Sequence, residues 1–180
     1  MSTRLVILGL LRDRPLHGYE IKHIIEEHMG DWTDIAFGSI YFALGKLAEE
    51  GFIEKIATEQ EGHRPSRTIY QITQTGRAEF ERLLREVWQN LEHHYFTLDI
   101  GLAFIEALPI EEVKAYLRQR VAQLEAISQH LEAHQAEVIA KEEAFREMIT
   151  AIFTHSRVHF EAELAWTREL LDKVEQGVYP

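Results

Sequence analysis

Residues 37–55 read FGSIYFALGKLAEEGFIEK. Ile40, Ala43, Leu44, Leu47 and Ala48 recur at three- and four-residue steps, the apolar rhythm of one helical face. Gly38, Ser39 and Tyr41 crowd the first turn, and Gly51 ends the helix just before β-prone Phe52 and Ile53. From there the period changes from 3.6 to 2. FIEKIAT (52–58) and RTIYQIT (67–73) are two strand candidates. Between them EQEGHRPS (59–66) holds Gly62 and Pro65, so the pair predicts a β-hairpin with a long, basic-tipped loop.

Working outward, the apolar run LVILGLL (5–11) marks a buried helix from Thr3 to Leu11, and Pro15 places a turn after it. HGYEIKHIIEEHMG (17–30) carries Tyr19, Ile21, Ile24, Ile25 and Met29 on one face and ends at Gly30, which predicts a second, amphipathic helix. Thr73 or Thr75 can cap the helix after the hairpin by accepting from its free N–H groups. Residues 1–73 therefore spell helix–helix–helix–strand–strand, the order of a winged helix-turn-helix.

From Gly76 onward the text is almost entirely helical. GRAEFERLLREVWQNLEHHYFTLDIGLAFIEAL (76–108) reads as one bent helix or two, and Pro109 breaks it. Val113, Leu117, Val121, Leu124, Ile127 and Leu131 form a narrow stripe on the next helix. Phe145, Ile149, Ile152, Phe153, Phe160, Leu164, Leu171 and Val174 mark the last. Such helices bury little alone, which predicts pairing with each other and with a second chain. The fold expected is mainly α with a small β-hairpin wing: a winged helix-turn-helix over 1–75, then long dimerisation helices over 76–180.

Composition bounds the function. At 46% hydrophobic and 27% charged the 180 residues are globular in class, and the absence of cysteine excludes disulfide and thiol chemistry and suits a reducing cytoplasm. LVILGLL is too short to span a membrane, and charged Arg12, Asp13 and Arg14 follow it where a signal peptide would have a cleavage site. The net charge of −11 argues against a polyanion partner only at first sight. Residues 1–73 hold 8 Lys/Arg against 11 Asp/Glu, net −3, and the remainder carries net −8. Binding depends on the potential of one face, not on the molecular sum.

The third helix is the candidate interface. In helix-turn-helix proteins the N-terminal residues of this helix meet base edges and phosphates. Gly38 permits close approach, Ser39 and Tyr41 bring hydroxyls, and Lys46 lies two turns on from Ser39 on nearly the same face. In the loop GHRPSRT, His63, Arg64 and Arg67 fall within five residues, with Pro65 stiffening a tip that can reach phosphates or the minor groove.

LLRDRPLHGYEI (10–21), GSIYFALGKLAEEGFIEK (38–55) and EGHRPSRTIYQITQTGRAEF (61–80) resemble the three signature stretches of the PadR family of bacterial transcriptional regulators. The resemblance covers about residues 3–85. It implies a homodimer, joined by its C-terminal helices, that represses promoters by binding an inverted repeat and responds to a small aromatic or hydrophobic effector. Matched motif to motif, it puts Ser39, Tyr41 and Lys46 on the recognition helix, Arg64 and Arg67 on the wing, and Tyr19, of the HGYE motif, near the DNA backbone. The chain departs from the family where Phe42 replaces a frequent proline, and where Gly45 stands near a usual basic residue. Both departures bear on operator preference.

Trp88, Tyr95 and Phe96 are the candidates for an effector pocket, although aromatic clusters more often pack a core. His130 with His134 and His155 with His159 have metal-compatible spacing, but no HExxH motif accompanies them. Exposed histidines are the simpler reading, and no metal or cofactor is expected. Catalysis finds no GxSxG, P-loop, GxGxxG or CxxC to stand on, so no enzyme is expected. The sequence thus points to a cytoplasmic, double-stranded-DNA-binding regulator. Its rival is a winged-helix adaptor that binds protein and not DNA, a reading the net −3 of the head favours.

Overall fold

The computed structural model describes residues 2–30, 33–59, 67–91, 93, 95–141 and 143–179. By compactness the chain divides into two units, Met1–Glu92 and His93–Pro180.

The first unit contains α1 (Ser2–Leu11), β1 (Leu16–His17), α2 (Gly18–His28), α3 (Phe37–Glu49), β2 (Ile53–Glu59), β3 (Arg67–Ile72) and α4 (Gln74–Gln89). The three strands form one antiparallel sheet in the order β1–β3–β2. The hairpin expected from the period-2 text is present. The short β1 was not expected: Leu16 pairs with Tyr70 and His17 with Ile69. Two residues are too few to carry a visible alternation.

The apolar rhythm of 37–48 does what it predicts. Ile40, Ala43, Leu44 and Leu47 are buried, and they meet Ile7, Leu8 and Leu11 of α1 and Ile21 and Ile25 of α2 in one core. Ile53 and Ile72, opposite one another in the sheet, close that core from the hairpin. At the end of α3 the Phe52 N–H donates to Leu47 O at 2.9 Å and the Gly51 N–H to Ala48 O at 3.1 Å. These are the paired bonds of a Schellman motif, which requires the left-handed φ of +76° that Gly51 supplies. The chain leaves the helix there and enters β2.

Thr73, not Thr75, caps α4: its side chain accepts from the Gly76 N–H at 3.0 Å. Arg4 of α1 ties the far side together, reaching Glu50 at 2.7 Å and Glu79 of α4 at 3.7 Å.

The second unit comprises α5 (Thr97–Ala103), a 3₁₀ turn (Ile105–Ala107), α6 (Ile110–Lys141), a 3₁₀ turn (Glu143–Phe145) and α7 (Arg146–Glu175). The helical text of 76–108 is therefore two helices, α4 and α5, and the described residues between them are non-helical. α6 is about 48 Å long at 1.5 Å per residue, and α7 is nearly its equal. Leu117, Leu124 and Leu131 of α6 are buried at seven-residue intervals. Leu117 packs with Leu170 and Val174, and Leu131 with Ile149 and Phe153. Ion pairs flank the seam, with Arg118–Glu175 at 2.5 Å, Arg120–Glu163 at 2.6 Å and Arg168–Glu125 at 2.5 Å.

Candidate nucleic-acid interface

The helix-turn-helix is α2 and α3. Their entry angle is set by the Tyr41 ring, which lies over Gly18: a Cβ there would approach Tyr41 Cε1 to 3.1 Å. Phe37 meets the same ring edge-on at 5.2 Å, and Lys22 Nζ of α2 stands 4.5 Å from the centroid of Phe37. One chain of contacts, Lys22–Phe37–Tyr41–Gly18, thus joins the two helices and leaves Tyr41 about half exposed. Tyr19, also exposed, stacks on His23 at 6.3 Å.

The start of α2 is fixed by Glu20, whose carboxylate accepts the His17 N–H at 2.7 Å and pairs with Arg14 at 3.2 Å. Partial burial pushes this carboxyl up. The His17 N–H and Arg14 more than offset it and leave it below the usual range.

Ser39 and Lys46 are less free than the sequence suggests. The Ser39 hydroxyl donates to Ala36 O at 2.6 Å, which makes it part of the first turn of α3. Lys46 Nζ pairs with Glu49 at 2.7 Å, and that hydrogen bond raises its pKa. A phosphate taking the Ser39 proton must displace Ala36, whereas at Lys46 it competes with Glu49 for an ammonium that has three donors. Arg64 lies outside the described residues, as does the side chain of Arg67, whose backbone begins β3.

The sequence marks Phe42 as a departure that bears on operator preference but assigns it no contact, because it carries no hydrogen-bonding group. It is 69% exposed and stands opposite the buried Ile40–Leu44–Leu47 face of α3. The signal lay in the sequence, as a large apolar residue outside the apolar stripe. Gly38 and Gly45 occupy the same outer face, four residues before Phe42 and three after, and a Cβ at either would meet nothing within 4 Å.

These features accompany a family match. Residues 7–82 match the model of the "Transcriptional regulator PadR-like family". Over these residues the head is similar to the PadR-like family. The "Negative transcriptional regulator PadR" of Bacillus subtilis (strain 168) is 38% identical over 73 residues, 41% of this chain. The match spans 40% of that relative's length. The crystal structure of Bacillus subtilis PadR in complex with operator DNA superposes with a TM-score of 0.79 at 22% identity, covering 97% of this chain and 99% of that one. The same protein in complex with p-coumaric acid gives 0.75 at 21%, covering 96% and 98%. At these identities the structural likeness establishes the fold alone: a winged helix followed by long helices.

Tyr95 and Phe96 line a cavity of about 430 Å³ in the second unit with Asp99, Arg120, Glu163 and Trp166. Trp88 belongs to α4 of the first unit and is 84% exposed. His155 and His159 approach to 3.3 Å between Nε2 atoms, and His130 stacks on His134. Among the described residues no group of three or more metal-ligating side chains gathers. No helix among them is long and apolar enough to cross a membrane.

Proposed function

We propose that the chain is a cytoplasmic transcriptional regulator that binds double-stranded DNA in a sequence-specific manner, as a homodimer on an inverted repeat. It represses, is released by a small aromatic or hydrophobic effector, and carries out no catalysis and needs no cofactor. The observation that carries this reading is the coincidence, within 7–82, of the PadR-like match with a helix-turn-helix whose α3 presents its outer face to solvent. In a winged helix that face enters the major groove. Tyr41, Ser39 and Lys46 approach from α3, Tyr19 from α2, and Arg64 and Arg67 grip phosphates from the wing.

Residues 1–75 would do the reading and 76–180 the pairing. Leu84, Val87 and Trp88 are exposed at three- and four-residue steps along α4. In the second unit Ile100, Phe104, Met148 and Val158 are exposed as well. Apolar surface of this extent marks an interaction face, and a second copy of the chain supplies a matching one. Two heads so joined meet half-sites about one turn apart, roughly 34–36 Å.

The likeness to the PadR complex with p-coumaric acid supports a small-molecule input. The aromatic-walled cavity around Tyr95, Phe96 and Trp166 offers it a place. Control works by population shift, since an effector moves the equilibrium only by its differential affinity for the two states.

Selection of bound fragments from random duplexes with the purified chain tests the proposal. Enrichment of an inverted repeat, displaced by heparin, is the expected result. Failure to enrich any sequence, with heparin indifferent, would refute it.

A further inference from the structure

The inference rests on the proposed DNA-binding function and adds a residue to it. We propose that Phe42 is a specificity-determining residue, whose ring packs against the 5-methyl group of a thymine in each half-site.

A single exposed aromatic side chain is ordinary on a protein surface. Phe42 differs in its surroundings. It occupies the centre of the outer face of α3, one turn before Lys46, where a major groove would receive the helix. Gly38 and Gly45 flank it on that face. Glycine weakens a helix interior, and it is usually kept where the backbone needs a positive φ or close packing. Neither reason applies inside this chain: both residues are helical, neither has positive φ, and nothing lies within 4 Å of a Cβ built on them. The space they leave belongs to something outside the chain. A ring raised between two backbone hollows fits a surface that is itself grooved.

The chemistry of the occupant follows from what the ring lacks. Phe42 has no donor or acceptor, so it cannot read the polar pattern of a base edge. The apolar feature of the major groove is the thymine 5-methyl group, and an apolar side chain reads it by contact. Ser39 and Lys46 are engaged by Ala36 and Glu49. Phe42 needs no partner exchanged before it can make its contact.

The test uses the full-length protein and the inverted-repeat duplex recovered from the random library, with each thymine in turn replaced by deoxyuridine. That replacement deletes the methyl group and preserves base pairing and polar edges. Wild type should lose affinity roughly fourfold at one thymine per half-site, the worth of one buried methyl-sized group, and roughly fifteenfold when both half-sites are changed. Phe42→Ala should bind more weakly and be indifferent to deoxyuridine at the same position. Phe42 is exposed, so the variant folds. As a second probe, Gly45→Ala should raise the melting temperature and weaken specific binding together, an opposition that a purely structural role would not produce. If wild type binds its duplex and tolerates every thymine replacement, or if Phe42→Ala stays as sensitive as wild type, the assignment of Phe42 is overturned and the DNA-binding reading stands. If no duplex is recovered at all, both are overturned.

Discussion

A methyl group on Gly76 would stand 2.0 Å from the carbonyl oxygen of Phe52 and 2.8 Å from Ile72 Cγ1. The first turn of α4 is thus pressed onto the residue between α3 and β2, whose carbonyl also accepts the Thr73 N–H at 3.0 Å. Backbone is the obstacle on one side, so it cannot swing away as a flexible side chain would. Gly76→Ala should destabilise the head by about 2–4 kcal/mol, in the range of overpacked cores. Gly45→Ala, which meets nothing, should stabilise it by up to about 1 kcal/mol. Urea unfolding of the two variants checks the contrast, and equal midpoints would mean that the close approach at Gly76 is not there.

Thr73 is where the hairpin ends and α4 begins. Its hydroxyl accepts the Gly76 N–H and lies 2.8 Å from Gly51 O and 3.1 Å from Phe52 O. One oxygen therefore caps α4 and braces the turn that leads from α3 into the wing. Thr73→Ala should cost about 1–2 kcal/mol, the upper part of the range for lost caps. Thr73→Ser should recover most of it, because the oxygen carries the role. A serine variant as unstable as alanine would shift the role to the methyl group.

Much of this head was legible because local signals agreed with one another. The change of period at Gly51 locates the end of α3 and the start of β2, and the left-handed φ there explains why glycine stands at that point. Between α4 and α5 the helix breaks without a glycine or proline to announce it, so the sequence left one bent helix and two helices equally open. The interface was harder to read for a different reason. Residue type shows that Ser39 has a hydroxyl but not that the hydroxyl turns back to Ala36. Glu49 at the i+3 position of Lys46 is plain in the sequence, but helical spacing alone does not decide whether two exposed side chains meet. Phe42 stood in view as a departure bearing on operator preference, but residue type assigned it no contact because it offers no hydrogen bond.

Acid should loosen the head through Glu79. The hydrogen bond from Arg82 holds this carboxyl below its ordinary value of 4.5. Burial opposes it, and the charges of Arg82 and Arg4 add to it. Glu50 is lowered in the same direction, first by its bond to Arg4. A carboxyl depressed in the folded state contributes stability above its unfolded pKa and loses it as the pH falls through the folded value. Stability should therefore hold from neutrality down to about pH 4.5 and decline below it. Glu79→Gln should start less stable at pH 7 and decline less over the acid interval. Urea midpoints between pH 7 and pH 3 would show it, and parallel curves for variant and wild type would remove Glu79 from the account.

On the proposed reading Lys46 meets a phosphate in competition with Glu49, whose carboxylate now bonds its ammonium at 2.7 Å. Glu49→Gln removes the competitor and a repulsive charge together. It should tighten binding to every duplex by roughly threefold, in line with the small worth of exposed ion pairs. Lys46→Gln should weaken binding to all sequences alike and reduce the salt slope by about one. A dimer that neutralises about six phosphates should show log K falling with log salt at a slope near −5. These are titrations of the selected duplex at four or five salt concentrations. A weaker-binding Glu49→Gln would place Lys46 away from the phosphates, and a slope near zero in wild type would remove DNA from the proposed function altogether.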